Sequence, residues 1–258
     1  MVMKKNYLLA WGTDAGTGKR INQDSLLVKQ AVCKDTRIVL AVLCDGMGGL
    51  KKGEVASASL VRAFSEWFEA ELPAIAVFES PEEEILRSWD TLIMTMNAKI
   101  LEYGRKKGIR LGTTMTAMLF MGEEYYLVHV GDSRAYKLTD RLYQLTKDQT
   151  LVQREVDQGL LTKEQAAEDS RRGVLLQCVG GSEKVEPMYD KGRIGRNSVY
   201  VLCCDGFRHV ITGQEIYQAL NPSSLTDESV MEERCAGLIT LNKERGEQDN
   251  ISVIVIHT

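Results

Sequence analysis

Four aspartates in this chain each stand at the mouth of an apolar run and are followed by a small or turn-forming residue. They are Asp45 in VLCDGMGG, Asp132 in VHVGDSRAY, Asp205 in VLCCDGF and Asp249 in EQDNISVIVI. A fifth, Asp24 in RINQDS, lies close behind Arg20. A carboxylate at the end of a buried strand is costly unless something neutralises it. Five in similar settings point to a shared cation. Hard carboxylate oxygens, with no His or Cys at ligand spacing, favour Mg²⁺ or Mn²⁺ over Zn²⁺. The chemistry expected of such a cluster is metal-assisted hydrolysis, with a phosphate ester as the substrate class.

Each motif has a plainer explanation when taken alone. An Asp-Gly pair after a strand is a common turn. Two such pairs, with Asp249-Asn250 ahead of a last apolar run, make coincidence a poor account. Arg20 alone reads as a surface arginine beside a turn, yet its planar fork suits phosphate oxygens taken two at a time. GTGKR at 16–20 is not a nucleotide-binding loop: Lys19 is followed by Arg20 rather than Ser or Thr, and Gly12 lies one residue too far away. His129, inside VHV, reads as a packed strand histidine, and His209 as a polar residue opening a loop. Met94 and Met96 fall within a helical stretch and read as core.

These residues need strands that end together and helices that cover them. Residues 37–44, RIVLAVLC, form an apolar run that predicts a strand buried on both faces. Helical spacing follows over 53–72, with Val55, Leu60, Val61, Phe64, Trp67, Phe68 and Leu72 on one side. A second helix is expected to open with a capping box at Ser80-Pro81-Glu82-Glu83 and to carry Ile85, Trp89, Leu92, Ile93, Met96, Ile100 and Tyr103. Short β-rich runs from 113 to 146 predict an antiparallel meander. A polar helical stretch comes next, with a capping box at Thr162–Gln165. Residues 174–204 are expected to return to strand. Helices at 213–220 and 227–245 precede the strand ISVIVIH.

The bulk composition narrows the class. At 258 residues and 44% hydrophobic content, with four prolines and no linker-like stretch, a single domain over 1–258 is expected. The net charge of −4, without a basic block interleaved with aromatics, argues against nucleic acid as a partner. Six cysteines without a C-x-x-C pair read as buried reduced thiols. The N-terminal stretch is too short for a signal h-region and no run approaches a membrane span, so a soluble cytoplasmic protein is expected.

The ordered motifs resemble a known family. TDAGTGKRINQDS at 13–25, DGMGG at 45–49, GTT at 112–114 and GDSRAY at 131–136 come first. QLTKDQTLVQREVDQGLLTKEQA at 144–166, VLLQCVGG at 174–181, CDG at 204–206 and QDNISVIVI at 248–256 complete the series. Together they resemble a bacterial metal-dependent Ser/Thr protein phosphatase of the type 2C (PPM) family. The resemblance implies an α+β layered sandwich of two central antiparallel β-sheets flanked by pairs of antiparallel helices, with a small flap insertion near 148–172. It implies hydrolysis of phosphoserine and phosphothreonine in proteins, and hence phosphorylated proteins as partners and an opposing Ser/Thr protein kinase. Carried over by position, Asp45 would bridge two Mg²⁺ or Mn²⁺ ions and Gly46 would give its carbonyl to one. Asp205 and Asp249 would complete the other. Asp132 with Asp205 matches a third, weaker ion site, Asp24 would bind directly or through water, and Arg20 would hold the substrate phosphate.

The chain departs from the family pattern at several places. Gln23 stands where bacterial members often have Glu, and Gln149 where many have His. Asp169-Ser170 replaces a His-Pro pair, and Met47 occupies the position of the histidine general acid of animal members. None of these changes removes a core aspartate. Two rival functions remain: a phosphatase dedicated to one regulatory phosphoprotein, of the anti-sigma antagonist type, and a non-catalytic binding module that keeps the fold.

Overall fold

The computed structural model describes residues 7–33, 36–47 and 52–258. The first six residues, and Gly48 and Gly49 of the DGMGG motif, lie outside the described residues. Three strands open the chain: β1 (Leu8–Asp14), β2 (Ser25–Cys33) and β3 (Thr36–Cys44). Helices α1 (Gly53–Ala70), α2 (Leu72–Ile75) and α3 (Glu82–Lys107) follow. The meander consists of β4 (Met115–Met121), β5 (Glu124–Val130), β6 (Arg134–Leu138) and β7 (Leu142–Gln144). Short helices α4 (Leu151–Asp157) and α5 (Lys163–Glu168) form the flap, and β8 (Met188–Arg193) and β9 (Val199–Cys203) return to the sheets. The chain closes with α6 (Gly213–Leu220), α7 (Glu228–Glu244) and β10 (Ile251–His257).

The strands build two five-stranded sheets, β1-β10-β9-β6-β7 and β2-β3-β4-β5-β8, with every strand pair antiparallel. Alternation along β3 shows how the layers stack. Val39, Ala41 and Leu43 enter the core shared with the other sheet, whereas Ile38, Leu40, Val42 and Cys44 enter the core under α1 and α3. Both faces are therefore covered, which is why this stretch reads as a continuous apolar run. Phe64 and Trp67 of α1 meet Trp89 of α3 edge-on, with ring centroids 5.9 and 5.5 Å apart. On the opposite side α7 lies against β1 and β10.

Several expectations need correction. β1 and β2, unread in the sequence, are edge strands, and exposed residues such as Trp11 and Val32 weaken their apolar pattern. The expected box at Ser80 does not form: α3 starts at Glu82, Pro81 precedes it without a side-chain cap, and three glutamates in the first turn complement the helix dipole instead. Residues 174–187 are not a strand. That stretch makes isolated bridges, Thr150 with Leu175 and Thr113 with Val179, which pin it between the flap and the GTT motif. The box at Thr162 does form, with Thr162 and Gln165 bonding each other's backbone.

Trp89 is fully buried between α1 and the sheet. Trp89→Ala is expected to lower unfolding free energy by about 3–5 kcal/mol. Denaturant titration measures this, and metal affinity of the folded fraction should not change, because Trp89 lies in the helix-side core.

Candidate metal centre

Antiparallel pairing gathers the aspartates. In the β2–β3 hairpin Ser25 pairs with Cys44, so Asp24 just before β2 and Asp45 just after β3 emerge at the same end. In the other sheet Val253 of β10 pairs with Cys203 of β9, which brings Asp249 and Asp205 to one end as well. Ligand atoms of Asp45, Asp205 and Cys204 all lie within 4.8 Å of one another. Both Asp24 oxygens are shut off from solvent and have no hydrogen-bond partner.

Each aspartate is held by a neighbouring motif through its backbone. Asp45 accepts from the Thr114 amide at 2.9 Å and the Thr113 hydroxyl at 2.9 Å, while its own amide donates to the Thr114 hydroxyl at 3.1 Å. This is the work of GTT. Gly46 lies so close to the start of α1 that a Cβ would stand 2.4 Å from the Gln23 carbonyl oxygen and 2.6 Å from Gly53. Asn250 ties the N-terminal loop down: its side-chain oxygen accepts from the Gln23 amide at 2.9 Å, and its NH₂ donates to the Ala15 and Ile21 carbonyls at 3.0 and 3.3 Å. Gly16, at φ +74°, passes over Asp249 where a Cβ would meet the Asp249 carbonyl oxygen at 1.9 Å.

The electrostatics call for a cation. Burial pushes Asp45 well above the usual carboxylate range, and the charges of Asp24 and Asp205 push it further. Asp24 rises to about 6, through burial first and then the charges of Asp205 and Asp249; the Ser252 hydroxyl and Cys204 thiol oppose this without reaching hydrogen-bond geometry. Burial acts against the charge of Asp205 too, but the hydrogen bond and charge of His209, with the charge of Arg208, hold it below the usual range. Crowded buried carboxylates with unused oxygens are a donor set that fits hard divalent ions.

Asp132 stands between β5 and β6 and is buried. Burial and the charge of Asp205 raise its carboxyl to about 7, against the pull of Arg208 and His209. The turn around it is built carefully. His129 spans Thr116 and the Gly131 carbonyl at 2.9 and 3.0 Å, and burial lowers it to about 4, so it is a packed strand histidine as read. Gln149 accepts from the Gly131 amide at 2.8 Å and donates its own amide to the Gly131 carbonyl at 2.8 Å, fastening the flap to this turn. Asp148 takes both Arg134 nitrogens at 2.8 Å and Arg208 at 3.3 Å. The Asp169 departure joins Arg171 and Glu155 in an ion cluster inside the flap.

Arg20 is exposed beside a cavity of about 490 Å³ lined by Lys19, Arg20, Ile21, Gln23, Lys52, Glu54 and Ile109. Among the described residues Arg20 makes no ion pair with the carboxylates, whereas Lys19 on the same loop lies with its Nζ 3.0 Å from Asp249. Gln23 donates to Glu54 at 3.0 Å, so the departure from Glu converts a carboxylate pair into a hydrogen bond.

The sequence undervalued His209 and missed Glu247. His209 Nε2 lies 3.3 Å from Asp205 Oδ2 and its Nδ1 lies 3.4 Å from Glu247 Oε2. These two carboxylates outweigh burial and raise the imidazole to about 9. Glu247 also accepts the amides of Gln248 and Asp249, each at 2.9 Å, and its carbonyl accepts Thr17 at 3.1 Å. One residue thus joins the Asp205 turn, the Asp249 turn and the loop leading to Arg20. The acidic residue of GEQDN, next to the singled-out QDN, was the available signal.

Comparison with known proteins agrees with this geometry. The profile of the family described as "Protein phosphatase 2C" matches residues 12–232. The serine/threonine protein phosphatase PstP of Mycobacterium tuberculosis is 32% identical over 246 residues, which is 94% of this chain and 43% of that relative. This chain therefore spans less than half of that protein's length. The structure of the S. agalactiae serine/threonine phosphatase superposes with a TM-score of 0.83 at 31% identity, covering 98% of this chain and 100% of that one. The catalytic domain of PstP in complex with two manganese ions superposes with a TM-score of 0.77 at 30% identity, covering 98% and 99%.

His209→Ala removes the bridge between Glu247 and Asp205. By analogy with outer-layer partners of metal ligands, Mn²⁺ affinity should fall about 10–100-fold. Calorimetric titration reads this, and His209→Gln, which keeps a donor towards Asp205, should recover part of it. A lowered melting temperature with unchanged Mn²⁺ affinity would assign His209 to packing.

Proposed function

The chain belongs to the protein phosphatase 2C family, and on that premise we propose that it hydrolyses phosphoserine and phosphothreonine in proteins at the carboxylate cluster. The observation that carries the reading is the approach of Asp45 and Asp205 beside the unpartnered Asp24 carboxylate. We assign Asp45, with the Gly46 carbonyl, Asp205 and Asp249 to two Mg²⁺ or Mn²⁺ ions, and Asp24 to the same pair, directly or through water. Asp132 is assigned to a third, weaker ion, because Arg208 and His209 already supply positive charge beside it.

When bound, the ions supply Lewis acidity and positive charge, which make water a nucleophile near neutral pH. The chain's own residues do the rest. The amide and hydroxyls of Thr113 and Thr114 fix Asp45, and Glu247 with His209 fixes Asp205 and Asp249. Arg20, on the loop tied down by Asn250, is assigned to grip the phosphate. Phosphoryl transfer asks mainly for positioning and charge neutralisation, so no side-chain nucleophile is required. Met47 cannot donate a proton, so a proton for the leaving alkoxide would come from water or another group.

The partners proposed are phosphorylated proteins and, by opposition, a Ser/Thr protein kinase. No helix among the described residues is long and apolar enough to cross a membrane. All six cysteines are free, which supports a reducing, cytoplasmic setting.

Hydrolysis of an aryl phosphate and of a phosphothreonine peptide, each with and without Mn²⁺, tests the reading directly. Asp45→Asn should abolish turnover of both while the circular dichroism spectrum stays unchanged. Arg20→Ala should chiefly raise KM, by the equivalent of about 1.5–3 kcal/mol, with Mn²⁺ affinity intact. Mn²⁺ at one hundred times its Kd should stabilise the fold by about 2.7 kcal/mol in thermal melts, and a chelator should reverse this.

A further inference from the structure

The carboxylate cluster contains a sulfur that residue spacing did not reveal. Cys204 is fully buried at the end of the β9 run, and its Sγ lies within 4.8 Å of ligand oxygens of both Asp45 and Asp205. The Asp24 carboxylate beside it has no hydrogen-bond partner on either oxygen. One thiol and two carboxylates therefore converge, with the Asp24 carboxylate next to the thiol. An oxygen-only set suits Mg²⁺ and Mn²⁺, whereas a thiolate added to it suits Zn²⁺ and heavier thiophilic ions.

The surroundings of the sulfur are compatible with a ligand. The Ser252 amide donates to Sγ at 3.1 Å, the kind of bond that stabilises a thiolate when it ligates a metal. The other bond, from the thiol to the Asn250 carbonyl at 3.3 Å, is surrendered when the proton leaves. We propose that Asp45, Asp205 and Cys204, with the adjoining Asp24 carboxylate as a further donor, form a site for one thiophilic divalent cation, Zn²⁺ or Cd²⁺, whose binding excludes the oxygen-preferring ions. Occupation forms a metal–sulfur bond, breaks the S–H bond and releases that proton to solvent, with no change of oxidation state. The phosphatase would then be switched off by a thiophilic ion through a ligand that Mn²⁺ does not use. The proposal rests on the reading of these carboxylates as a metal centre.

Cd²⁺ is the probe, because its bond to a thiolate gives a charge-transfer absorption in the ultraviolet that carboxylates do not give. Titration of the full reduced chain should produce this absorption with one Cd²⁺ per chain. In Mn²⁺-loaded protein, the same addition should release Mn²⁺, seen as the resonance spectrum of the free ion. Cys204→Ser should lose the absorption and keep its affinity for Mn²⁺, while Cys203→Ser and Cys44→Ser should keep both. If Cys204→Ser does not fold, Asp24→Asn decides, since it should weaken Cd²⁺ binding while leaving the thiol in place. Absence of the absorption in the wild type, its survival in Cys204→Ser, or unaltered Cd²⁺ binding in Asp24→Asn overturns the proposal. Failure of Mn²⁺ itself to bind the wild type would instead overturn the underlying metal-centre reading.

Discussion

Mutual repulsion among carboxylates at one end of the sandwich is the constraint that the rest of the molecule accommodates. Two unit charges at about 4 Å in a protein environment repel by about 4 kcal/mol. Such a cluster persists only if the backbone beneath it cannot relax and a cation can answer it. The first condition is met by hydrogen bonds between motifs distant in sequence. Thr113 and Thr114 hold Asp45, Asn250 holds the loop of Arg20, and Glu247 holds Asp249. The second is met partly within the chain, by His209 on Asp205 and Lys19 on Asp249.

Much of this was legible before any coordinates. Asp-Gly after an apolar run marks a buried strand that ends in a turn, and the central strands β3 and β9 are buried along their length. That burial gives them an unbroken apolar signature. Edge strands carry no such signature: β1 and β2 are paired on one side and partly exposed, so their composition resembles loop. The helix boundaries were close because periodicity survives local detail. The start of α3 was not, because a run of glutamates after Pro81 stabilises the first turn without any Ser80 cap.

The gathering of carboxylates was legible by residue type and not by pairwise geometry. The core aspartates announce themselves by position. The Glu247–His209 link does not, since its members lie on two turns that only the β9–β10 pairing brings together. The same holds for Cys204, which looks like one more buried thiol until its strand ends beside Asp45. The departures at Gln23 and Gln149 are both hydrogen-bonded within the fold. Each side chain makes a hydrogen bond, to Glu54 and to the Gly131 amide, that anchors a segment bordering the site.

The pairing of β10 bears on how the protein folds. β10 lies between β1 and β9, so Leu8 meets His257 and the first sheet has no continuous centre without the last strand. That sheet therefore closes only when segments far apart in sequence meet, and the same pairing brings Asp249 to Asp205. Contacts of such long sequence separation form slowly. The carboxylate cluster is complete only once that pairing exists.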